Sequence, residues 1–191
     1  MAAFFCFYVE IFGKKLYNEK RNLQRKNDMN KSDFIFFWHE YDENGCFSQW
    51  FQREFVVDDI VYLNCEQYMM AQKALLFNDR VNYNKIMRAA SPVECKKYGR
   101  LVEGFDETIW QSKSEEIIYN GNYAKFLQNK DLKEKLLATG DKILAEASPY
   151  DKIYGIGMDD KNPDCVTPSK WKGKNILGNI LMKVRENLIS E

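Results

Sequence analysis

Strong helix-start signals recur along this chain and constrain it to a mainly helical fold. Each signal is a capping residue placed directly before an amphipathic segment, and the four are Asn64, Ser91, Asp106 and Asn175. Gln67 stands at the third helical position after Asn64, and Pro92 occupies the first position after Ser91. Shorter helical stretches are predicted over residues 82–89 and around residues 132–137.

Strand-prone segments are few and short by comparison. Residues 34–38 form an aromatic run, and residues 143–147 form an apolar one. Residues 55–57 and 60–62 flank Asp58-Asp59, which predicts a hairpin. About six helices and three or four short strands predict an α+β, mainly helical fold, in a single compact domain with a small β-hairpin or short sheet.

Two glycines are predicted to limit helices. Gly99 is expected to end the helix that starts after Ser91. Gly121 is expected to weaken or end the helix that starts after Asp106, because glycine costs backbone entropy in a helix interior.

The first 28 residues stand apart from this pattern. Residues 2–12 are apolar except for Glu10, but the run is far shorter than the roughly 20 residues that span a bilayer. The basic residues follow the apolar run, whereas a signal peptide carries them before it. We therefore expect residues 1–28 to be an extension of uncertain order, either a loosely attached helix or sequence upstream of the real start, and residues 29–191 to be the domain.

Composition narrows the classes of function. The chain has 28 basic and 28 acidic residues among 191, so its net charge gives no support for bulk attraction to nucleic acid or to an anionic membrane. Five dispersed cysteines, an odd number, favour a reduced, cytoplasmic compartment. With one histidine, His39, the sequence has no zinc motif, and we expect no metal; His39 itself is expected to be a partly exposed residue at a strand end.

Glu66 and Lys73 are the first candidate pair for chemistry. They are seven residues apart, which places them on one helix face about 10 Å apart, with the lysine leaning towards the glutamate. Met69 and Met70 lie between them and can form an apolar floor. On spacing alone such a pair is more often solvated than functional.

Three further features are ambiguous by themselves. Trp110 is either a stacking platform for a base or a core residue. Asp151 is either a turn residue or a catalytic carboxylate, and the helix start at Gly173-Lys174-Asn175 is a weak candidate for anion binding.

The order of the motifs adds information that no single motif carries. The motifs, in order, are Phe47-Ser48-Gln49-Trp50, Cys65 to Lys73, Tyr98-Gly99-Arg100, Phe105-Asp106 with Trp110, Glu146 to Asp151, Tyr154 to Gly157, and Trp171 with Gly173 to Gly178. This series resembles the NADAR, or YbiA-like, family of N-glycosidases over about residues 34–189.

The resemblance implies a compact, mostly helical α+β domain that hydrolyses the bond between ribose C1 and the nitrogen of a base or amine. It implies two substrate classes: phosphoribosylamino-pyrimidine intermediates early in riboflavin synthesis, and ADP-ribose attached to guanine in nucleic acid. The partner would thus be a small ribosylated molecule or an ADP-ribosylated nucleic acid, with no cofactor and no membrane, and the oligomeric state stays open.

The resemblance also implies roles for particular residues. The implied catalytic residues are Glu66, Lys73, the possible Schiff-base nucleophile, and Asp151. The implied substrate-binding residues are Ser48, Gln49, Arg100, Trp110, Gly155, Gly157, Trp171, Lys174 and Asn175. Arg100, Lys125 and Lys174 are candidate partners for phosphate groups.

The chain departs from the family pattern at three positions. Gln49 stands where asparagine is usual, Trp50 where phenylalanine is usual, and Asp59 where the hairpin glycine is usual. Gln49 keeps the amide but moves it by one methylene, so a hydrogen bond to substrate can be altered.

Two readings compete with the N-glycosidase. One is a non-catalytic module that binds ADP-ribose or a nucleotide, and the other is a structural or partner-binding helical protein. Retention of Glu66, Lys73 and Asp151 favours the enzyme, because a binding module has no need of all three.

Overall fold

The computed structural model describes residues 29–190. The predicted N-terminal extension, residues 1–28, lies outside the described residues, and its dispensability stays a prediction.

Six α-helices and four short strands make up the described chain. The helices are α1 Cys65–Leu76, α2 Arg80–Met87, α3 Pro92–Arg100, α4 Glu107–Gln128, α5 Lys130–Leu137 and α6 Ile176–Ile189. The strands are β1 Phe34–Phe37, β2 Phe55–Val57, β3 Ile60–Tyr62 and β4 Ile143–Glu146. The predicted α+β, mainly helical fold is confirmed. No helix within residues 29–190 is long and apolar enough to cross a membrane.

Side-chain caps start the helices largely as the sequence predicts. The side-chain oxygens of Asn64, Ser91 and Asp106 each accept a hydrogen bond from the backbone N–H three residues on, at 2.8, 3.3 and 2.9 Å. These bonds satisfy donors that a helix leaves unpaired at its start. Asn175 precedes α6 without a capping bond, in a left-handed conformation with φ 52°.

The strands form two separate pairs. β2 and β3 are antiparallel, and Asp58 and Asp59 between them both have positive φ, 51° and 60°. Aspartate tolerates this conformation better than most residues, so the hairpin forms without the usual glycine. β1 pairs in parallel with β4, with Phe34 opposite Ile143 and Phe37 opposite Glu146.

The two glycines matter for packing rather than for ending helices. α3 extends one residue beyond Gly99, where a Cβ atom would lie 1.9 Å from Sδ of Met70. α4 continues through Gly121, so the expectation that Gly121 ends the helix is wrong. A Cβ atom at Gly121 would lie 2.5 Å from the Tyr68 ring, and close approach of α4 to α1 explains the residue.

Helix α1 lies at the centre of the fold. It contacts α2, α3 and α4, and most of its side chains are buried, including the polar Glu66 and Gln67. α6 packs between α4 and β4, which brings the β1–β4 pair to the same core. Because α1 is enclosed on several sides, a polar residue at its N-terminal end enters a dry environment.

Candidate active site

A cleft opens beside the N-terminal half of α1. Its walls are the loop at residues 48–50, α1, α3, and the end of β4 with the loop that follows. The three predicted catalytic residues, Glu66, Lys73 and Asp151, all line this cleft. Ser48, Gln49 and Arg100 line it as well, so these sequence-predicted residues come together in space.

Glu66 occupies the first turn of α1 and is only 3% exposed. Its Oε2 accepts a hydrogen bond of 3.3 Å from the indole N–H of Trp50, while Oε1 is buried and has no partner among the described residues. Burial raises the pKa of Glu66 to about 7, although Lys96 and the Trp50 hydrogen bond oppose the rise. A carboxyl group with this pKa can give or take a proton near neutral pH.

Glu146 is a second buried acid that the sequence analysis did not single out. It ends β4, and its Oε2 is enclosed without a partner among the described residues, although the side chain is half-buried as a whole. Burial raises the pKa of Glu146 to about 8, and the neighbouring Asp151 adds to the rise while Lys96 opposes it. Its signals in the sequence were its place in the predicted strand over residues 143–147 and its place at the start of the Glu146-to-Asp151 motif.

These raised pKa values predict a stability that depends on pH. Glu146 favours its neutral form in the folded protein, so its contribution to stability is complete below its ordinary pKa of 4.5 and is lost as the pH rises towards 8. Glu146→Gln stays neutral throughout. We therefore expect the melting temperature to fall less between pH 5 and pH 8 in Glu146→Gln than in the wild type, as measured by thermal melts across that range. Equal falls in the two proteins would mean that Glu146 ionises normally in the fold.

Asp151 is at once a turn residue and a cleft residue. Its Oδ1 accepts hydrogen bonds of 2.8 Å from the backbone N–H groups of Ile153 and Tyr154, and its own N–H donates to Oγ of Ser148 at 3.2 Å. These bonds fix the loop after β4, and Asp151 lines the cleft close enough to Glu66 and Glu146 for its charge to raise the pKa of both.

Lys73 lies nearer to the C-terminal end of α1 than Glu66, and its amine contacts other residues instead of Glu66. Its amine donates a 3.0 Å hydrogen bond to the carbonyl of Gly99 and lies 4.0 Å from the centre of the Phe105 ring. Partial burial lowers the pKa of Lys73, and Glu107 opposes this effect. The expected approach of Lys73 to Glu66 is thus replaced by a contact with α3.

Two buried residues of α4 bind the loop at residues 48–50 that lines the cleft. Asn122 donates to Oε1 of Gln49 at 2.9 Å. Lys125 is 0% exposed, and its amine donates to the carbonyls of Cys46 and Ser48 at 2.7 and 3.2 Å. The suggestion that Lys125 binds phosphate is therefore wrong, because its amine is enclosed and already has acceptors.

Trp50, one of the departures from the family pattern, contacts the acid directly. Phenylalanine, the usual residue, has no N–H to offer the carboxyl group of Glu66. In this chain the indole donor opposes the raised pKa of Glu66, and Lys96 lies 5.8 Å from the centre of the same indole. The presence of Trp50 at this position therefore affects the pKa of Glu66.

Trp50→Phe is expected to shift the pH profile of activity. Removing the N–H donor raises the pKa of Glu66 further, so Glu66 keeps its proton to a higher pH. If Glu66 acts as a general acid, the alkaline limb of kcat/KM moves upwards in the variant. The measurement is kcat/KM from pH 5 to pH 9 for both proteins, and an upward shift of the acidic limb instead would make Glu66 a base.

The two tryptophans predicted to bind substrate, Trp110 and Trp171, do not line the cleft. Trp110 is 9% exposed and belongs to the core, against which Tyr154, a residue of the cleft lining, also packs. Trp171 donates to the carbonyl of Cys165 at 2.8 Å and packs edge-on against Phe34. A stacking role for either residue stays a prediction; the amine of Lys73, which lines the cleft, lies 5.7 Å from the centre of the Trp110 ring.

Asn175 has a different use from the one predicted. Its side-chain oxygen accepts from the N–H of Glu146 at 3.1 Å, and its side-chain nitrogen donates to the carbonyl of Leu144 at 2.9 Å. Asn175 is fully buried, so its amide is committed to β4 and is not available to substrate. It therefore positions Glu146, while the neighbouring Lys174 is exposed and lies outside the cleft lining.

Gly155 and Gly157 shape the backbone next to the cleft. A Cβ atom at Gly155 would lie 2.9 Å from the carbonyl oxygen of Glu146, and Gly157 has a φ of 68°. Gly155 lets the loop pack tightly on β4, whereas Gly157 lets it approach the backbone of Lys172 and Gly173. Neither lines the cleft, so direct contact with substrate stays a prediction for both.

Cysteine, histidine and acidic side chains are the usual protein ligands of metal ions. No group of three or more His, Cys, Asp or Glu side chains within residues 29–190 is placed to hold a metal ion. The four described cysteines, at positions 46, 65, 95 and 165, are buried free thiols. His39 is partly exposed just after β1, as expected.

Known proteins share this sequence and fold. The sequence profile of the NADAR domain matches residues 36–189. An N-glycosidase of Acanthamoeba polyphaga mimivirus is 42% identical over 165 residues, covering 82% of this chain and 97% of the relative. The N-glycosidase YbiA of Escherichia coli is 31% identical over 168 residues, covering 88% and 96%. The NMR structure of the E. coli protein YbiA superposes with a TM-score of 0.68 over 82% of this chain and 85% of that chain, at 31% identity.

Proposed function

The chain belongs to the NADAR domain family and is an N-glycosidase, and we propose that its substrate is a ribosylated base or amine whose C1–N bond is cleaved in the cleft beside α1. One observation carries the proposal. Glu66 and Glu146 each have a buried carboxyl oxygen without a partner among the described residues, and both have raised pKa values in the same cleft as Lys73 and Asp151.

The residues suit the difficulty of the reaction. An N-glycoside resists hydrolysis because nitrogen leaves poorly and positive charge builds on the ribose ring. Glu66, with a pKa of about 7, supplies a proton to the leaving nitrogen or the ring oxygen. Asp151, which lines the same cleft, stabilises the developing cation. Glu146, whose pKa burial also raises, serves as a second proton source.

The cations in the cleft support a phosphorylated substrate. Lys96 and Arg100 of α3 both line it, and neither is in an ion pair with another described residue. Both candidate substrate classes, the phosphoribosylamino-pyrimidines and ADP-ribosyl guanine, carry phosphate on the ribose. These two cations therefore support a phosphorylated ribosyl group, but they do not distinguish between a pyrimidine and guanine as the base.

A side-by-side assay tests the proposal. The protein is incubated with a phosphoribosylamino-pyrimidine and with ADP-ribosyl guanosine, and the released base and reducing sugar are measured together. We expect equal amounts of base and sugar from at least one substrate, and far less of both from a Glu66→Gln control. Tight binding of either compound without any release would instead support a non-catalytic binding module.

A further inference from the structure

Four aromatic side chains form a continuous array on the surface, outside the cleft lining. Trp38 stacks on His39 with ring centres 3.9 Å apart, and His39 stacks on Tyr41 at 4.8 Å. Tyr150 lies 6.0 Å from Trp38 at the other end. Tyr41 is 75% exposed and Tyr150 is 85% exposed, so both ends of the array present aromatic surface to solvent. Such surface on a soluble protein commonly marks a binding site.

The array is built on the parallel strand pair. Trp38 directly follows β1, and the N–H of Ala147, directly after β4, donates to the carbonyl of Phe37 at 2.8 Å. The chain then reaches Tyr150 through a turn in which its N–H bonds to Oγ of Ser148 at 3.4 Å. Rings from two distant parts of the sequence thus meet on a common scaffold, which is the arrangement that a preformed site needs.

The array and the cleft are built on the same strand ends. Tyr150 directly precedes Asp151, and Phe37, directly before Trp38, pairs with Glu146; Asp151 and Glu146 both line the cleft. A ligand with its ribose in the cleft can therefore place a second ring on the array if a short linker joins the two.

Charges around the array indicate what that linker and ring would be. Lys152 and Lys174 are exposed and joined by a backbone hydrogen bond, and neither is in an ion pair with a described residue, so they suit one or two phosphates. Glu40, Asp42 and Glu43 lie beside the rings at the other end and would repel further phosphates. The array itself therefore suits a single uncharged ring rather than a long run of nucleotides.

We infer that Trp38, His39, Tyr41 and Tyr150 form a stacking subsite for a second nucleobase, joined through phosphate to the ribose whose C1–N bond is cleaved. The inference rests on the proposed function and narrows it to substrates with two bases, because a phosphoribosylamino-pyrimidine has no second base to stack. The second base is either part of the ribosyl donor group or a neighbouring base in a strand.

Binding of three probes tests the subsite without any turnover. The probes are ADP-ribose, ribose 5-phosphate and a five-nucleotide single strand, each titrated calorimetrically into the wild type, Tyr150→Ala and Tyr150→Phe. We expect Tyr150→Ala to weaken binding of ADP-ribose, or of the single strand, by about 5- to 150-fold, the range for losing one base-stacking side chain. Ribose 5-phosphate should bind unchanged, and Tyr150→Phe, which keeps the ring, should bind like the wild type.

The pattern across probes decides the outcome. Weakening for ADP-ribose places the base of the donor group on the array, and weakening for the strand alone places a neighbouring base there. Equal binding of all probes by Tyr150→Ala and the wild type, or equal weakening that includes ribose 5-phosphate, overturns the inference. Ile189→Ala, at an exposed apolar side chain on α6, controls for general surface effects. Failure of the proposed function is separate, because it appears as absent C1–N cleavage whatever the probes do.

Discussion

Glu66→Gln should lower kcat by about 10²- to 10⁴-fold while the protein stays folded, because the variant loses the proton that Glu66 supplies. Glutamine has nearly the same shape as glutamate and can still accept the hydrogen bond from Trp50. The variant also stays neutral in a buried position, so its thermal stability near neutral pH should match or exceed that of the wild type. Turnover and thermal melts on the same sample separate these two effects.

A matched control and a second variant sharpen this test. Glu134→Gln removes a carboxyl group from the exposed surface of α5, where Glu134 pairs with Lys130, and should leave turnover unchanged. If Glu66→Gln keeps near-normal turnover, then Glu146→Gln should show the loss instead, because Glu146 is the other buried acid in the cleft. Near-normal turnover in both variants would remove general acid catalysis by these two residues.

The elements that were predicted correctly from the sequence are those whose stabilising contacts join residues close together in the chain. Asn64, Ser91 and Asp106 each cap a helix by a bond to the residue three positions on, so the signal lies within one turn. The hairpin around Asp58 and Asp59 is equally local. Such features can be predicted from the sequence because both residues of each contact lie within a few positions of each other.

The elements that the sequence did not predict depend on distant partners. The parallel pairing of β1 with β4 joins Phe34 to Ile143, and nothing near either residue announces it. Asn175 stands at a helix start, where a capping or anion-binding role is the ordinary expectation, yet its amide is used by Leu144 and Glu146. These hydrogen bonds of the Asn175 amide could not be predicted from the local sequence, because they depend on how α6 packs against β4.

The acid–base character of the site is a product of the same distant packing. Glu66 is a plain first-turn glutamate in sequence, and its pKa rises to about 7 because the fold encloses it. Glu146 entered the sequence analysis only as part of a motif, and its burial beside Asp151 appears once the loop folds over β4. The motif order selected residues of which several line one cleft, whereas burial decided which carboxyl groups there have a raised pKa.

Lys73 has the features of an amine nucleophile as well as those of an anchor. An amine attacks only when neutral, and an ordinary lysine is almost fully protonated at neutral pH. Partial burial lowers the pKa of Lys73 and so favours the neutral form, whereas the nearby Phe105 ring favours the cation. The hydrogen bond to the Gly99 carbonyl fixes the amine nitrogen within the cleft.

If Lys73 is the nucleophile, its nitrogen bonds to ribose C1 as the C1–N bond to the base breaks, and the base leaves with a proton from Glu66. The C1–O bond of the ring then opens to give an imine between Lys73 and the sugar, with the ring oxygen taking a proton. Water adds to the imine carbon and releases the free sugar and the lysine amine. Each step moves protons only among the substrate, water and residues that line the cleft.

Borohydride added during turnover is therefore expected to trap a ribose adduct on the peptide that contains Lys73, as detected by mass spectrometry. Lys73→Ala should abolish both the adduct and turnover, a loss at least as large as that of Glu66→Gln. Lys96→Ala is the matched control, because Lys96 also lines the cleft but lies on α3, and this variant should still give the adduct at Lys73. Near-normal turnover in Lys73→Ala would favour direct attack by water assisted by Glu66 and Asp151, and Lys73 would then act as an anchor for a phosphate or hydroxyl group.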